Sequence, residues 1–402
     1  MTARTWDEVR RRRLERHHLL SPAPRERLVD VVGELCGVQA QVMANAELAL
    51  GLRVDGITRR DVRDALWERR SLVKTYGVRG TIHLFPSDEL AMWLSAIRAA
   101  PTPNRSAALA STGTSHAEVA TLVRAIGNAL DRRTMTREDL GREVIRRAGR
   151  WAGDEVVPAF GSMWPRWTLA IGAAAHAGVL CFGPNQGNRI TFVQPERWLG
   201  SFDPGRGRDG HDALTEVLRR FLRAYGPATV REFARWFNME PNAAADAVRS
   251  LGDEVAEVDV EGHRSLQLAD ESNDAPPAAF RTPLRLLAPF DVFVIGSFPR
   301  DRLIPAGLLD RLGRDRIGAP WARRVLAGGT VANIPVLLRD GVVAGVWERR
   351  RSGGKVLVRV EPFDEPPAVH RRVLEAEAER IGRVLEADVA FELGPVDVRP
   401  HL

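Results

Sequence analysis

DALTEVLRRFLRAYGPATVREFARWF, residues 212–237, is the stretch that decides how the chain is read. Leu214, Val217, Leu218, Phe221, Leu222 and Tyr225 recur on one face of a 3.6-residue period, which predicts an amphipathic helix over 212–225. Gly226-Pro227 stops it. Thr229 then stands three residues before Glu232, the spacing of a capping box, and Val230, Phe233, Ala234 and Phe237 carry a second helix. A turn at 239–241 leads to a third helix through Val248 and Leu251. Beyond it, residues 254–260 are rich in valine and read as a strand, with a turn at Gly262 and His263 and a returning strand over 265–269. Three helices followed by a hairpin is the order of a winged helix.

The same order recurs upstream. Val119, Leu122, Val123, Ile126 and Leu130 mark a helix, and Thr136 with Asp139 caps the next. A longer apolar helix is expected over 167–177, then strands over 179–182 and 190–193 about a turn at 183–188. The first segment fits more loosely. Leu28, Val31, Val32 and Leu35 make a helix, Thr58 and Asp61 open another through Leu66, and 72–76 and 81–85 form a hairpin about 78–80. This is a repeat of architecture rather than of residues. Past Asp270 the texture changes. A proline- and alanine-rich linker spans 274–279, followed by strand-like runs at 284–287, 292–295, 336–338, 342–347 and 355–360 and a closing helix over 368–385. Asp340-Gly341 is a strong hairpin turn. The expected fold class is therefore α+β. Winged-helix units occupy 1–100, 101–205 and 206–275, and a β-rich C-terminal domain with a closing helix occupies 276–402.

Composition narrows the function classes. At 402 residues, with 44% hydrophobic and 27% charged residues, the chain is long enough for several globular units and is not a disordered one. Two cysteines, Cys36 and Cys181, make neither a disulfide framework nor a four-thiolate zinc site and suit a reducing cytoplasm. The charged first thirteen residues are no secretory signal, and the most apolar run, 167–182, is too short and too polar to span a bilayer. Of the 58 basic residues only Lys74 and Lys355 are lysine. The net charge of +6 permits a phosphate-binding face without demanding one.

HExxH, CxxC, P-loop and GxSxG motifs are all missing from the sequence, so zinc hydrolysis, ATP use and an α/β-hydrolase site lack support. His17-His18 reads as the solvated basic end of a helix, since adjacent residues point to different sides, and Arg10–Arg13 as a charged helix face. One stretch is less ordinary: Leu35-Cys36-Gly37-Val38-Gln39-Ala40-Gln41-Val42, with two glutamines flanking a small apolar residue at the end of an amphipathic helix. Taken alone, a pair of surface amides would explain it. Downstream follow Tyr76-Gly77-Val78-Arg79-Gly80-Thr81-Ile82-His83-Leu84, Pro289-Phe290-Asp291, Arg300-Asp301-Arg302 and Pro335-Val336-Leu337-Leu338-Arg339-Asp340-Gly341, running on to Gly345-Val346-Trp347.

In that order the chain resembles the winged-helix DNA glycosylases of the AlkZ/YcaQ superfamily, and its Gln-Φ-Gln signature is similar to that of the AlkZ branch. The resemblance covers nearly the whole chain. It implies three tandem winged helices around a DNA channel and monofunctional excision of alkylated purines, chiefly N7-alkylguanine adducts. Among relatives, some unhook interstrand crosslinks or protect producers of alkylating antibiotics. Carried over by residue, Gln39 and Gln41 fall on the catalytic motif. Arg79 and His83 fall on the first hairpin as DNA-contacting residues, with Lys74 and Arg302 as further DNA contacts, while Asp291, Asp301 and Arg302 match a recurrent C-terminal segment. Residues 295–299 depart from the usual tyrosine-containing pattern. The expected partner is double-stranded DNA containing alkylated purines. No metal, cofactor or membrane is expected, and the chain is expected to be a cytoplasmic, nucleoid-associated monomer. Two rivals need no glutamine pair: a non-enzymatic tandem winged-helix transcription regulator, and a drug-sequestering protein that stacks its ten tryptophans on an aromatic ligand.

Overall fold

The computed structural model describes residues 2–103, 109–159, 161–200, 202–203, 209–271, 284–306, 333–352, 355–364 and 368–397. The fold is mixed α+β, and the chain divides into two compact units, each gathering segments distant in sequence. Met1–Arg63, Arg219–Phe233 and Leu251–Leu402 form one; Asp64–Leu218 and Ala234–Ser250 form the other. The expected linker at 274–279 lies outside the described residues.

The first unit is built on a five-stranded sheet in the order Leu284–Leu287, Val336–Arg339, Val342–Ser352, Lys355–Pro362, Val389–Leu393. The first four strands pair antiparallel; the last runs parallel to Lys355–Pro362. Asp340 and Gly341 both adopt positive φ, 52° and 77°, as the tight turn between the second and third strands requires. Side chains alternate across this sheet with period two. Leu284, Leu286, Leu337, Trp347, Val356, Val358 and Val360 pack with Leu374, Ala378, Ile381 and Val384 of the Ala368–Leu385 helix, and with Leu48 and Leu52. On the opposite face Leu287, Val336, Leu338, Val343 and Val346 meet Leu14, Leu19, Phe293 and Ile304. Where both faces are covered, at Leu284–Leu287 and Val336–Arg339, the strands read as largely apolar runs, whereas Lys355–Pro362 alternates.

In this unit two expectations are corrected and one helix that the sequence did not announce is added. Residues 292–295 form a short helix, Val292–Gly296, and not a strand, because Asp291 caps it: its side chain accepts from the Phe293 N–H at 2.9 Å. Met43–Gly51 is a helix without an amphipathic signature, since nearly every residue in it is buried. The N-terminal region is not a solvated basic helix. Thr2–Arg4 adds a strand parallel to Val255–Val260, Arg12 and Arg13 of the Trp6–Arg16 helix are buried, and His17 is sealed against the edges of Tyr225 and Phe293. Arg13 donates to the carbonyls of Phe298, at 2.6 Å, and Pro227, at 2.7 Å, while burial lowers its pKa to about 10.

The reading of residues 212–269 is recovered in outline. Helices run Gly210–Tyr225, Val230–Phe237 and Pro241–Leu251, followed by the antiparallel pair Val255–Val260 and His263–Leu268. The capping box at Thr229 is complete: its N–H reaches Glu232 Oε2 at 2.7 Å and its Oγ1 accepts from the Glu232 N–H at 3.2 Å.

In the second unit, helices His116–Leu130, Arg137–Ala148 and Ala170–His176 enclose a core of Leu122, Ile126, Leu140, Val144, Trp167 and Phe192. Strands Cys181–Gln186 and Arg189–Val193 return as expected. An additional hairpin, Glu155–Ala159 with Ser162–Pro165, stands between the second and third of these helices. Leu72–Tyr76 and Ile82–Pro86 pair with Tyr76 opposite Ile82. Among the described residues no helix is long and apolar enough to cross a membrane.

Candidate functional site

Gln39 and Gln41 occupy a short extended segment and not the helix end itself. The Leu28–Glu34 helix stops because Cys36 and Gly37 take positive φ, 61° and 87°, which turns the chain out into the Val38–Gln39 strand. The Tyr225 hydroxyl donates to the Leu35 carbonyl at 3.0 Å and holds this exit in place. Val38 and Ala40 point into the core, so the two glutamines share the other face by the period of an extended chain.

Their environments differ. Gln39 is 6% exposed, whereas Gln41 is exposed. Gln39 Nε2 donates to Gln41 Oε1 at 2.6 Å. That bond fixes the Gln41 amide: its carbonyl oxygen keeps a second lone pair and its NH₂ keeps both hydrogens for other partners. Such an array can orient water or a polar substrate group. It cannot take a proton near neutrality.

Immediately downstream, the Met43–Gly51 helix is pinned by three polar contacts. Asn45 Oδ1 accepts from Arg349 Nη2 at 3.3 Å, and buried Glu47 accepts from Arg63 Nε at 2.6 Å. At the C-terminal end, Arg53 Nη1 donates to the Ala49 carbonyl at 2.9 Å, and the same guanidinium grips Asp291 through two bonds of 2.9 and 2.7 Å. Both members of that pair are 0% exposed. Asp291 was legible as part of a recurrent segment, and its structural role is now specific: one carboxylate caps a helix and neutralises a fully buried arginine. Asn45, Glu47, Arg53 and Arg349 carried no signal of their own in the sequence, and Tyr225 was legible only as a core position of its helix. Asn45 alone stands at a helical spacing, four residues, from Gln41.

Lys74, Arg79 and His83 lie on the first hairpin and its turn. His83 is 2% exposed, its Nδ1 lies 2.9 Å from the Thr81 carbonyl, and its ring stacks on Phe85. Burial, reinforced by the Arg79 charge, pushes its pKa down to about 3, so the ring is neutral. His83 thus lies on the first hairpin, as the sequence implied, with its ring buried and uncharged. Arg79 is half-buried and donates to the Trp236 carbonyl at 2.8 Å, with its other Nη 3.4 Å from His83 Nε2. Lys74 is half-buried with Nζ 5.1 Å from the Phe182 ring centre. Arg302, its side chain 47% exposed, lies over Trp6 at 5.5 Å and within 4.0 Å of Asp301. Cys36 and Cys181 are buried and not disulfide-bonded, and burial pushes the Cys181 thiol up.

Comparison with known proteins gives a consistent result. A family model described as DNA glycosylase AlkZ-like matches residues 32–384. An interstrand DNA cross-link repair glycosylase from Streptomyces sahachiroi is 31% identical over 382 residues, spanning 94% of this chain and 96% of that protein. The solved structure of Streptomyces sahachiroi DNA glycosylase AlkZ is similar with a TM-score of 0.77 at 29% identity, covering 98% of this chain and 100% of that one.

Proposed function

The chain belongs to the AlkZ-like DNA glycosylases, and from that premise we propose that it hydrolyses the N-glycosidic bond of N7-alkylguanine lesions in duplex DNA, crosslinked adducts included. Membership makes it an enzyme of DNA repair acting on N-glycosyl bonds and disfavours the regulator reading. The relative's name, a cross-link repair glycosylase, supports extending the substrate to bulky or tethered adducts.

The observation that carries the chemistry is the hydrogen bond from buried Gln39 to exposed Gln41. Gln39 acts as the positioning residue and Gln41 as the group that meets the reaction. Gln41 Oε1 accepts a hydrogen bond from water and holds it facing C1′ of the damaged nucleotide. The water oxygen bonds to C1′ as the C1′–N9 bond breaks. The bonding pair passes into the cationic purine, which leaves neutral, and the water's surplus proton passes to solvent. A leaving group that is already cationic needs no strong acid, so an amide pair suffices where normal purines stay intact. No lysine lies near the glutamines in sequence, Lys74 being the only one in the N-terminal half, in keeping with a monofunctional enzyme that forms no Schiff base.

The helix and hairpin order in 1–100, 101–205 and 206–275 supports three tandem winged helices, with 276–402 as the C-terminal domain. In this arrangement Lys74 and Arg302 contact phosphates, while Arg79 shapes the first hairpin's turn. The protein acts as a monomer in the cytoplasm, without metal or cofactor.

The test is base release from a duplex carrying a single N7-methylguanine. Wild type should form abasic sites, and Gln39→Ala/Gln41→Ala should not. Equal release by both would move the chemistry away from the glutamines. Release by neither, with bulky adducts also intact, would overturn the substrate assignment.

A further inference from the structure

Beside the glutamine segment lies a polar pair that the reaction scheme leaves unused. Asn45 sits in the first turn of the Met43–Gly51 helix and is 3% exposed; Arg349 lies on the Val342–Ser352 strand. They share one hydrogen bond, Arg349 Nη2 to Asn45 Oδ1 at 3.3 Å. Because a guanidinium can only donate, this bond fixes the Asn45 amide with Nδ2 on its other side. Asn45 Nδ2 and Arg349 Nη1 are both buried, and neither meets an acceptor among the described residues.

Two orphaned donors flanking one hydrogen bond are costly unless an acceptor reaches them. The nearby charges do not provide it. Glu47, the acid whose charge Arg349 feels, is bound to Arg63. Arg349 also lines a cavity of about 410 Å³ together with Trp347, Glu348, Arg350 and Asp397. Arg350 is paired there with Glu348 at 2.9 Å and lies 3.7 Å from Asp397. Among the described residues Arg349 forms no ion pair, so it is the cation in this wall that lacks an anion.

We propose that Asn45 and Arg349 form a phosphate-binding site that takes one phosphodiester of the damaged DNA beside the glutamine segment. Arg349 supplies charge and a planar donor edge, Asn45 holds that edge in register, and their unused N–H groups meet the non-bridging oxygens. Arg349 is thus a substrate-positioning residue, fixing the strand relative to Gln41 rather than taking part in bond cleavage.

The site rests on the proposed reading only for its placement beside Gln41. Its test reads binding without base release, so failure at the glutamines and failure here are distinguishable. The probe is a duplex with a single tetrahydrofuran abasic-site analogue, titrated against wild type, Arg349→Gln and Asn45→Ala at several salt concentrations, with thermal melting of each variant. Arg349→Gln should bind about tenfold more weakly, and its log–log salt slope should fall by about 0.9, one phosphate's share. Asn45→Ala keeps the charge and loses its anchor, so it should weaken binding at an unchanged slope. Neutralising the linkages one at a time as methylphosphonates should reveal a position that costs wild type affinity and costs Arg349→Gln nothing. A folded Arg349→Gln with wild-type affinity and slope would overturn the proposal. So would a methylphosphonate scan in which every linkage costs both proteins equally. Should Arg349→Gln fail to melt cooperatively, Asn45→Ala decides, and wild-type affinity in that variant overturns the site.

Discussion

Gln39 and Gln41 are the same residue type two positions apart, yet one is buried and the other exposed. Their hydrogen bond gives them unequal parts. Loss of a preorganised hydrogen-bonding group at a reacting centre costs roughly 2–4 kcal/mol of barrier. The pH profile separates the amide chemistry from a general base. An amide does not titrate, so the single-turnover rate of wild type should be flat from pH 6 to 8. Gln41→Glu places a carboxylate where a proton can be accepted, and its rate should rise with pH through the carboxylate range. A sloping wild-type profile in that window would point to a titrating base elsewhere.

Elements place these residues, and two contacts decide how firmly. A Cβ on Gly296 would lie 2.1 Å from Tyr225 Cε1, and Tyr225 holds the Leu35 carbonyl at the exit into the glutamine segment. Gly296→Ala should therefore destabilise by about 1–3 kcal/mol, the range for overpacking, and slow base release although it lies outside the reacting segment. Urea unfolding and single-turnover kinetics on one preparation check both effects; an unchanged rate would uncouple Tyr225 from the site. The Arg53–Asp291 pair ties the far end of the Met43–Gly51 helix to the cap of Val292–Gly296. Asp291→Ala leaves a buried guanidinium unmatched and should cost about 3–5 kcal/mol in urea unfolding. Arg53→Met/Asp291→Leu, which removes both charges, should recover much of that loss. A double variant as unstable as the single one would show that the cap outweighs the charge pair.

At the scale of the whole molecule, stability should fall as the solution is acidified below about pH 6.5. Desolvation, then the charges of Arg53 and Arg13, hold the folded pKa of His17 well below its ordinary value. Above pH 6.5 His17 is neutral folded and unfolded. Below it the unfolded chain binds a proton that the folded chain refuses, so stability is lost as pH falls. One pH unit below the unfolded value this amounts to about 1.4 kcal/mol for one such histidine. His83 acts in the same direction from 6.5 down to about 3. Buried Glu377 acts oppositely, because desolvation raises its pKa and its proton is held more tightly when folded. Urea midpoints at pH 7.5 and 5.5 should differ for wild type and differ less for His17→Leu; an equal drop in both would place the acid sensitivity elsewhere.

The sequence by itself determined what depends on neighbours in the chain. Periodic apolar faces gave the helices His116–Leu130, Gly210–Tyr225 and Ala368–Leu385, Asp340-Gly341 gave its turn, and Thr229 with Glu232 gave its cap, because each rests on contacts a few residues apart. The glutamine motif was legible only through the family resemblance, together with segments spread along the chain. Only tertiary structure decided the rest. Met43–Gly51 is buried on nearly every side and shows no amphipathic period, and the strand at Val389–Leu393 pairs parallel with one more than twenty residues earlier. Whether His17 and Arg13 face water or the core depended on Tyr225, Phe293, Phe298 and Pro227, all more than two hundred residues away. Burial belongs to the assembled fold. It turned a basic helix end into a sealed neutral imidazole and made two identical glutamines unequal.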